Sequence, residues 1–297
     1  MSQPHQPNTA HPEPLSQQVQ RVTARALAAG ALRPIPTTLH HVDDGGVRFV
    51  VRMLAGHNAK PQPGPAPAAS APDNPFLPYD PDLFVADLPP AHVCLLNKYP
   101  VVANHLLVVT SAYVSQDALL DADDFAALAG CMAQIDGLAF YNAGRIAGAS
   151  QHHKHLQVAP FPLDPEGGDL PMKAVLGAPA PAGRLVRAEA LPFPHCLAWL
   201  PPDNPPDAAA LADLYRAMLR AVGVWDGGDT LPRPYNWLAT RRWAMIVPRT
   251  SEKIAGMSVN ALGFAGSLLV RDPAQLAWLR DFGPLHALDA VARAPAA

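Results

Sequence analysis

The sequence predicts an α+β fold, and three observations carry that prediction. Short runs rich in leucine and valine, "HVCLLNKYP" and "NHLLVVTSAY", flank a turn containing Pro100 and Asn104, the pattern of paired strands. A segment with helical apolar spacing follows from Asp121. In the second half, strand-like "HCLAWL" and "YNWLATRRWAMIVPRT" enclose the helical stretch "PDAAALADLYRAMLRAVGVW". Antiparallel strands followed by long helices fit an α+β architecture better than a parallel βαβ series.

In chain order, "LSQQVQRVTARALAAGAL" has a helical rhythm through Val19, Val22, Leu27 and Leu32, and "VRFVVRML" from Val47 alternates as a strand. The segment Asp121 to Gly144 places Phe125, Leu128, Ala129, Met132, Ile135 and Ala139 at helical spacing. Acids at its start and glycine at its end predict one helix over that span. "HKHLQVAPF" then alternates polar and apolar residues, which predicts a strand beginning at His153. "LVRAEALPF" is a further strand candidate, and "SVNALGFAGSLLVRDPAQLAWLRDF" predicts a glycine-rich turn, a short apolar run and a helix from near Asp272. Proline concentrates in 60–75, 160–183 and 200–207, which read as exposed loops or connectors.

Composition excludes several function classes. At 297 residues, 49% apolar and 16% charged, the chain is of globular type, and no uninterrupted apolar run of about 18 residues could cross a bilayer. The start lacks a basic segment followed by an apolar one, so no secretory signal is expected and a cytoplasmic address follows. Cys94, Cys131 and Cys196 are widely spaced and odd in number, which predicts buried free thiols. A net charge of -3 gives no global basic field, so neither nucleic-acid nor membrane partners are expected and any anion must be held locally.

The densest chemistry lies in "GASQHHKHLQ", residues 148–157. In a strand, period two would put His153, His155 and Gln157 on one face, with Lys154 and Leu156 on the other. Three uses of that face compete. Zinc ligation could draw on His152, His153 and His155 with distant His57 or His195, but adjacent histidines diverge on a strand and no HExxH or cysteine pair supports it. A solvent-facing polar strand is a second use. The third is nucleophilic catalysis, in which a neutral imidazole attacks phosphorus. Context favours the third: the small residues Gly148, Ala149 and Ser150 let backbone N–H groups approach an anion. Ser150 and Gln151 add neutral donors, and Lys98 adds a compact positive charge.

Four segments, "NPFLPYDPDLFVADL", "LLNKYPVVANHLLVVTS", "YNAGRIAGASQHHKHLQVAPFP" and "YNWLATRRWAMIVPR…SVNALGFAGSLLV", together resemble the diadenosine tetraphosphate phosphorylases, or ATP adenylyltransferases, over most of the chain. That family belongs to the histidine-triad superfamily, whose transferase branch carries Gln where the hydrolase branch carries a third His. Gln157 therefore implies transfer rather than hydrolysis. The implied fold is HIT-like: a mainly antiparallel sheet flanked by helices, elaborated by N- and C-terminal extensions. One such domain would span 1–297, with a catalytic part, 1–186, carrying HxHxQ and a part, 187–297, completing the substrate site.

The resemblance implies that His155 attacks the α-phosphorus of a dinucleoside polyphosphate, ATP leaves, and phosphate takes the adenylyl group to give ADP. His153 and Gln157 would flank the nucleophile. Lys60, Asn97 and Lys98 would contact phosphates and nucleotide, Asn142 and the turn Gly148, Ala149, Ser150 and Gln151 would hold ribose and phosphates, and Asn260 would approach the substrate. His105 matches a histidine near the triad, with a structural role and a substrate contact equally open. A divalent cation, Mg²⁺, is expected to travel with the polyphosphate, with no metal ligands of the protein's own and no organic cofactor. His152 stands where the family has proline and reads as a tolerated surface residue. Trp237 and Trp243 could stack on adenine, although strand-spaced aromatics more often form core. The competing readings are a hexose-1-phosphate uridylyltransferase-like enzyme, which UDP-glucose and galactose 1-phosphate would reveal, and an inactive dinucleotide sensor. Oligomeric state is left open.

Overall fold

The computed structural model describes residues 13–55, 74–201, 207–228 and 230–293. The first half contains α1 (Leu15–Ala28), β1 (Thr37–Asp44), β2 (Val47–Leu54), β3 (Phe84–Leu88), β4 (His92–Leu96), β5 (Leu106–Thr110), α2 (Ala122–Gln134), β6 (Gly137–Ala143) and β7 (His155–Pro160). The second contains β8 (Leu185–Val186), β9 (Cys196–Trp199), α3 (Ala208–Ala221), β10 (Tyr235–Ala239) and β11 (Trp243–Pro248). It ends with β12 (Lys253–Ile254), β13 (Met257–Ser258), α4 (Ala261–Phe264), β14 (Ser267–Val270), α5 (Pro273–Phe282) and α6 (Pro284–Ala292). Among the described residues no helix is long and apolar enough to cross a membrane.

A nine-stranded antiparallel sheet runs in the order β3-β4-β5-β7-β6-β10-β11-β9-β8, so strands from both halves of the chain form one continuous surface. Its two faces carry different cores. Leu156, Val158, Ala139 and Tyr141 pack toward α1, α2 and α3. Leu138, Phe140, Ala159 and Leu238 pack toward β1, β2, β14 and the C-terminal helices. The strand alternation of β6 and β7 therefore feeds two apolar layers at once. β14 joins β2 in parallel, with Leu269 opposite Arg52, in a separate sheet of three. Helix starts are fixed by side chains: Asp121 and Asp124 form a capping box on α2, Asp207 caps α3, and Asp272 caps α5.

The fold corrects three expectations. The helix from Asp121 does not reach Gly144: it stops at Gln134, and Gly137–Ala143 is a strand between β7 and β10. Every residue of that strand is buried, because its apolar run is two interleaved faces rather than one helical stripe. Only glycine allows the approach at its start, since a Cβ on Gly137 would lie 2.5 Å from the Ala159 carbonyl oxygen. The histidine strand begins at His155, and His153 instead makes an isolated bridge to Ser115. "LVRAEALPF" supplies only the two-residue β8 before the chain leaves the sheet.

Candidate active site

A cleft of about 700 Å³ opens on the face of the large sheet that looks toward β2 and β14. Its lining brings together the predicted residues Asn97, Lys98, Asn142, Gly148, Ala149, Ser150, Gln151, His155, Gln157 and Asn260, from three separated parts of the chain. Register explains part of this convergence. His155 is opposite Val109, and Gln157 is opposite Leu107 on β5 and Phe140 on β6, so both side chains share one face. Lys154 points to the other face, where it is buried against Asp124 and donates to the Leu119 carbonyl at 2.8 Å. Burial pushes the Asp124 carboxyl up, but its bond to His92 and the charge of Lys154 outweigh this and hold it below its ordinary range.

His155 is held as a neutral base. Its Nδ1 lies 2.8 Å from the His153 carbonyl oxygen, which can only accept, so Nδ1 carries the proton and the lone pair is on Nε2. Burial lowers its pKa to about 4, against a smaller opposing effect of that hydrogen bond. The backbone is fixed too: the His155 N–H donates to Gln116 Oε1 at 2.8 Å, while Gln116 Nε2 donates to the Asn142 and His155 carbonyls at 2.9 and 3.3 Å.

His153 does not line the cleft. Its Nε2 donates to the carbonyls of Thr110 and Ala112 at 2.9 and 3.1 Å, leaving Nδ1 to accept from Asn74 Nδ2 at 3.1 Å. What it presents to His155 is its carbonyl, which sets the tautomer of that ring. The turn after β6 also departs from expectation. Gly148 and Ala149 donate their N–H groups to Arg145 and Gly144 within the turn, so neither is available to an anion. The N–H groups of Ser150 and Gln151 have no partner among the described residues and are the donors the turn can offer.

Gly148 serves another purpose. Its φ is 95°, and a Cβ there would lie 2.8 Å from the Asn260 Cβ and 2.9 Å from the Val259 carbonyl oxygen. Glycine thus lets the turn dock on the C-terminal segment. Asn142 Oδ1 accepts from Asn236 Nδ2 at 2.8 Å and from the Ala261 N–H at 3.0 Å, so Nδ2 is the donor it directs to the cleft. Beneath lies Arg249, which donates to Asn236 Oδ1 at 2.6 Å and to the carbonyls of Ala147, Ser251 and Val259 at 3.2, 2.7 and 2.8 Å. Burial lowers its pKa to about 9, with Glu252 opposing. Asn260 uses Oδ1 to cap α4.

Charge in the cleft is mixed. Lys98 pairs with Asp80 at 3.4 Å and remains over a third exposed, while Asn97 Nδ2 contacts His105 Nδ1 at 3.1 Å beneath it. Across the cleft Arg52 is buried, with Nη1 donating to Ser267 Oγ and Nη2 to the Leu163 carbonyl, both at 2.8 Å. Burial lowers its pKa, with Asp164 opposing. Sequence reasoning missed Arg52, Gln116, Asn236 and Arg249. A charged residue inside the apolar run "VRFVVRML" was a signal for Arg52; Gln116 stands in no motif.

The remaining expectations resolve outside the cleft or beyond description. Lys60 and His57 lie outside the described residues. His152 is half-buried against exposed Tyr113, at a ring distance of 5.9 Å. His195 engages both ring nitrogens with Phe193 and Ala188 backbone at 2.8 and 2.9 Å, which removes it as a metal ligand. Trp237 and Trp243 are core residues on opposite faces of the sheet, and all three cysteines are buried and free.

Residues 5–178 match the Ap4A phosphorylase N-terminal domain, and residues 189–294 match the ATP adenylyltransferase C-terminal domain. Diadenosine 5',5'''-P1,P4-tetraphosphate phosphorylase 2 of Saccharomyces cerevisiae is 29% identical over 208 residues, covering 61% of this chain and 63% of that protein, so the match spans less than two thirds of the relative. The crystal structure of yeast Ap4A phosphorylase Apa2 in complex with AMP superposes with a TM-score of 0.78 at 26% identity, covering 95% of this chain and 98% of that one. The structure of the same yeast enzyme in complex with Ap4A, at 24% identity and a TM-score of 0.74, shares the fold. With the first of these domain matches spanning more than half its length, and the second following it in order, the chain belongs to the Ap4A phosphorylase and ATP adenylyltransferase family.

Proposed function

We propose that this protein is a diadenosine tetraphosphate phosphorylase that works through an adenylyl-histidine. The observation that carries the reading is His155: a buried imidazole whose Nδ1–H is committed to a carbonyl at 2.8 Å, whose pKa is about 4, and which opens onto a cleft with donors for phosphate. Such a group is unprotonated and nucleophilic at neutral pH. Its Nε2 attacks the α-phosphorus, the P–O bond to the departing triphosphate breaks, and ATP leaves with that electron pair. An oxygen of inorganic phosphate then attacks the same phosphorus, the N–P bond returns its pair to Nε2, and ADP is released.

Gln157, Asn142 Nδ2 and the Ser150 and Gln151 N–H groups donate to phosphate oxygens, and Lys98 exchanges Asp80 for the polyphosphate. A carboxamide at position 157 stabilises charge without supplying a proton to a leaving group. Magnesium enters as part of the polyphosphate substrate. The AMP-bound yeast relative of the same fold supports the nucleotide assignment. Incubation with diadenosine tetraphosphate and phosphate is expected to yield ATP and ADP in equal amounts. His155→Ala should fold and lose on the order of 10³-fold or more of that activity. Absence of both products from the wild type, or undiminished turnover in the variant, would overturn the reading.

A further inference from the structure

Phe76 stands directly against the proposed nucleophile. Its ring centroid is 5.4 Å from that of His155 and 5.6 Å from that of His153, the latter edge-on at 73°. The ring lines the cleft, is 7% exposed, and belongs to a small apolar cluster with Val93, Leu95, Leu107 and Val109. Its position is locked from the backbone. Asn74 Oδ1 accepts the Phe76 N–H at 3.1 Å, and Asn74 Nδ2 donates to His153 Nδ1 at 3.1 Å, so one amide registers the ring to the histidine pair. A clamped apolar side chain packed beside the His155 ring displaces solvent from that side of the imidazole.

Resting on the phosphorylase reading above, we propose that Phe76 is an acceptor-selecting residue: it shields the adenylyl-histidine from water so that phosphate is the acceptor. The two fates differ only in the oxygen that attacks. Phosphate forms the new P–O bond and releases ADP. Water forms it, releases AMP and gives its proton to solvent; in both cases the N–P pair returns to His155. Phosphate is drawn to the donors and cations of the open part of the cleft, Lys98 among them, whereas water is uncharged and limited mainly by access. Asn74 acts through Phe76 and His153 as a positioning residue.

The test is the ratio of AMP to ADP formed from diadenosine tetraphosphate at fixed phosphate, in wild type, Phe76→Ala and Phe76→Leu. The ratio is internal to the molecules that turn over, so partial misfolding does not alter it. We expect it to rise severalfold in Phe76→Ala and to return toward the wild-type value in Phe76→Leu. The acid limb of the pH–rate profile should also move up in Phe76→Ala, as solvent reaches the imidazole. An unchanged ratio in an active Phe76→Ala, or loss of both products in that variant, would overturn this inference. Failure of the wild type to form ATP and ADP would instead remove the phosphorylase reading.

Discussion

At the scale of single residues, the environment of His155 matters more than its presence in a motif. Burial favours the neutral ring, so the folded chain resists protonation between the ordinary histidine value of 6.5 and about 4. The stabilisation linked to this group is complete above about pH 6.5 and is lost as pH falls to about 4, a difference of about 3 kcal/mol. Urea denaturation at pH 7 and pH 4.5 should therefore show a smaller loss of stability in His155→Ala than in wild type; equal losses would contradict the assigned burial effect. His155 and Gln157 were legible in the sequence because strand period two is local geometry. The role of His153 was not, because it depends on carbonyls of residues 110 and 112 that meet it only in the folded sheet. Arg249 was equally hidden: its hydrogen-bond partners come from four separate stretches, at Ala147, Asn236, Ser251 to Val259 and Val291.

At the scale of elements, the site depends on how β6, the turn after it and β7 are joined. The paired strands β4 and β5 and the helices α1, α3 and α5 were legible from period and caps. β6 was not, because a fully buried central strand has no polar alternation to separate it from the end of the preceding helix. The turn makes a sharper demand. Gly148→Ala would place a side chain at φ 95° and against Asn260 and Val259. It should cost about 1–2 kcal/mol for the backbone alone and more for the contact. Activity should fall further than stability, since the turn carries the Ser150 and Gln151 donors. Denaturant midpoints compared with kcat/KM would check this; unchanged kinetics would show that the turn does not position substrate.

At the scale of the molecule, the cleft exists because the C-terminal segment seats on the turn at Gly148. Arg249 joins them, holding Asn236, Ala147 and Val259 together while Asn142 reaches Ala261. Arg249→Met keeps the volume but leaves several buried acceptors unpaired, for an expected loss of about 3 kcal/mol or more. Urea unfolding followed by fluorescence would measure it, and a loss under about 0.5 kcal/mol would show that packing alone holds the parts together. The proposed mechanism has one imidazole of the docked cleft hold the adenylyl group between the departure of ATP and the attack of phosphate. Mass spectrometry after brief exposure to diadenosine tetraphosphate without phosphate tests that claim most directly. An adenylyl group on His155, discharged to ADP when phosphate is added, is the predicted result; turnover with no adduct at His155, or an adduct on another residue, would contradict it.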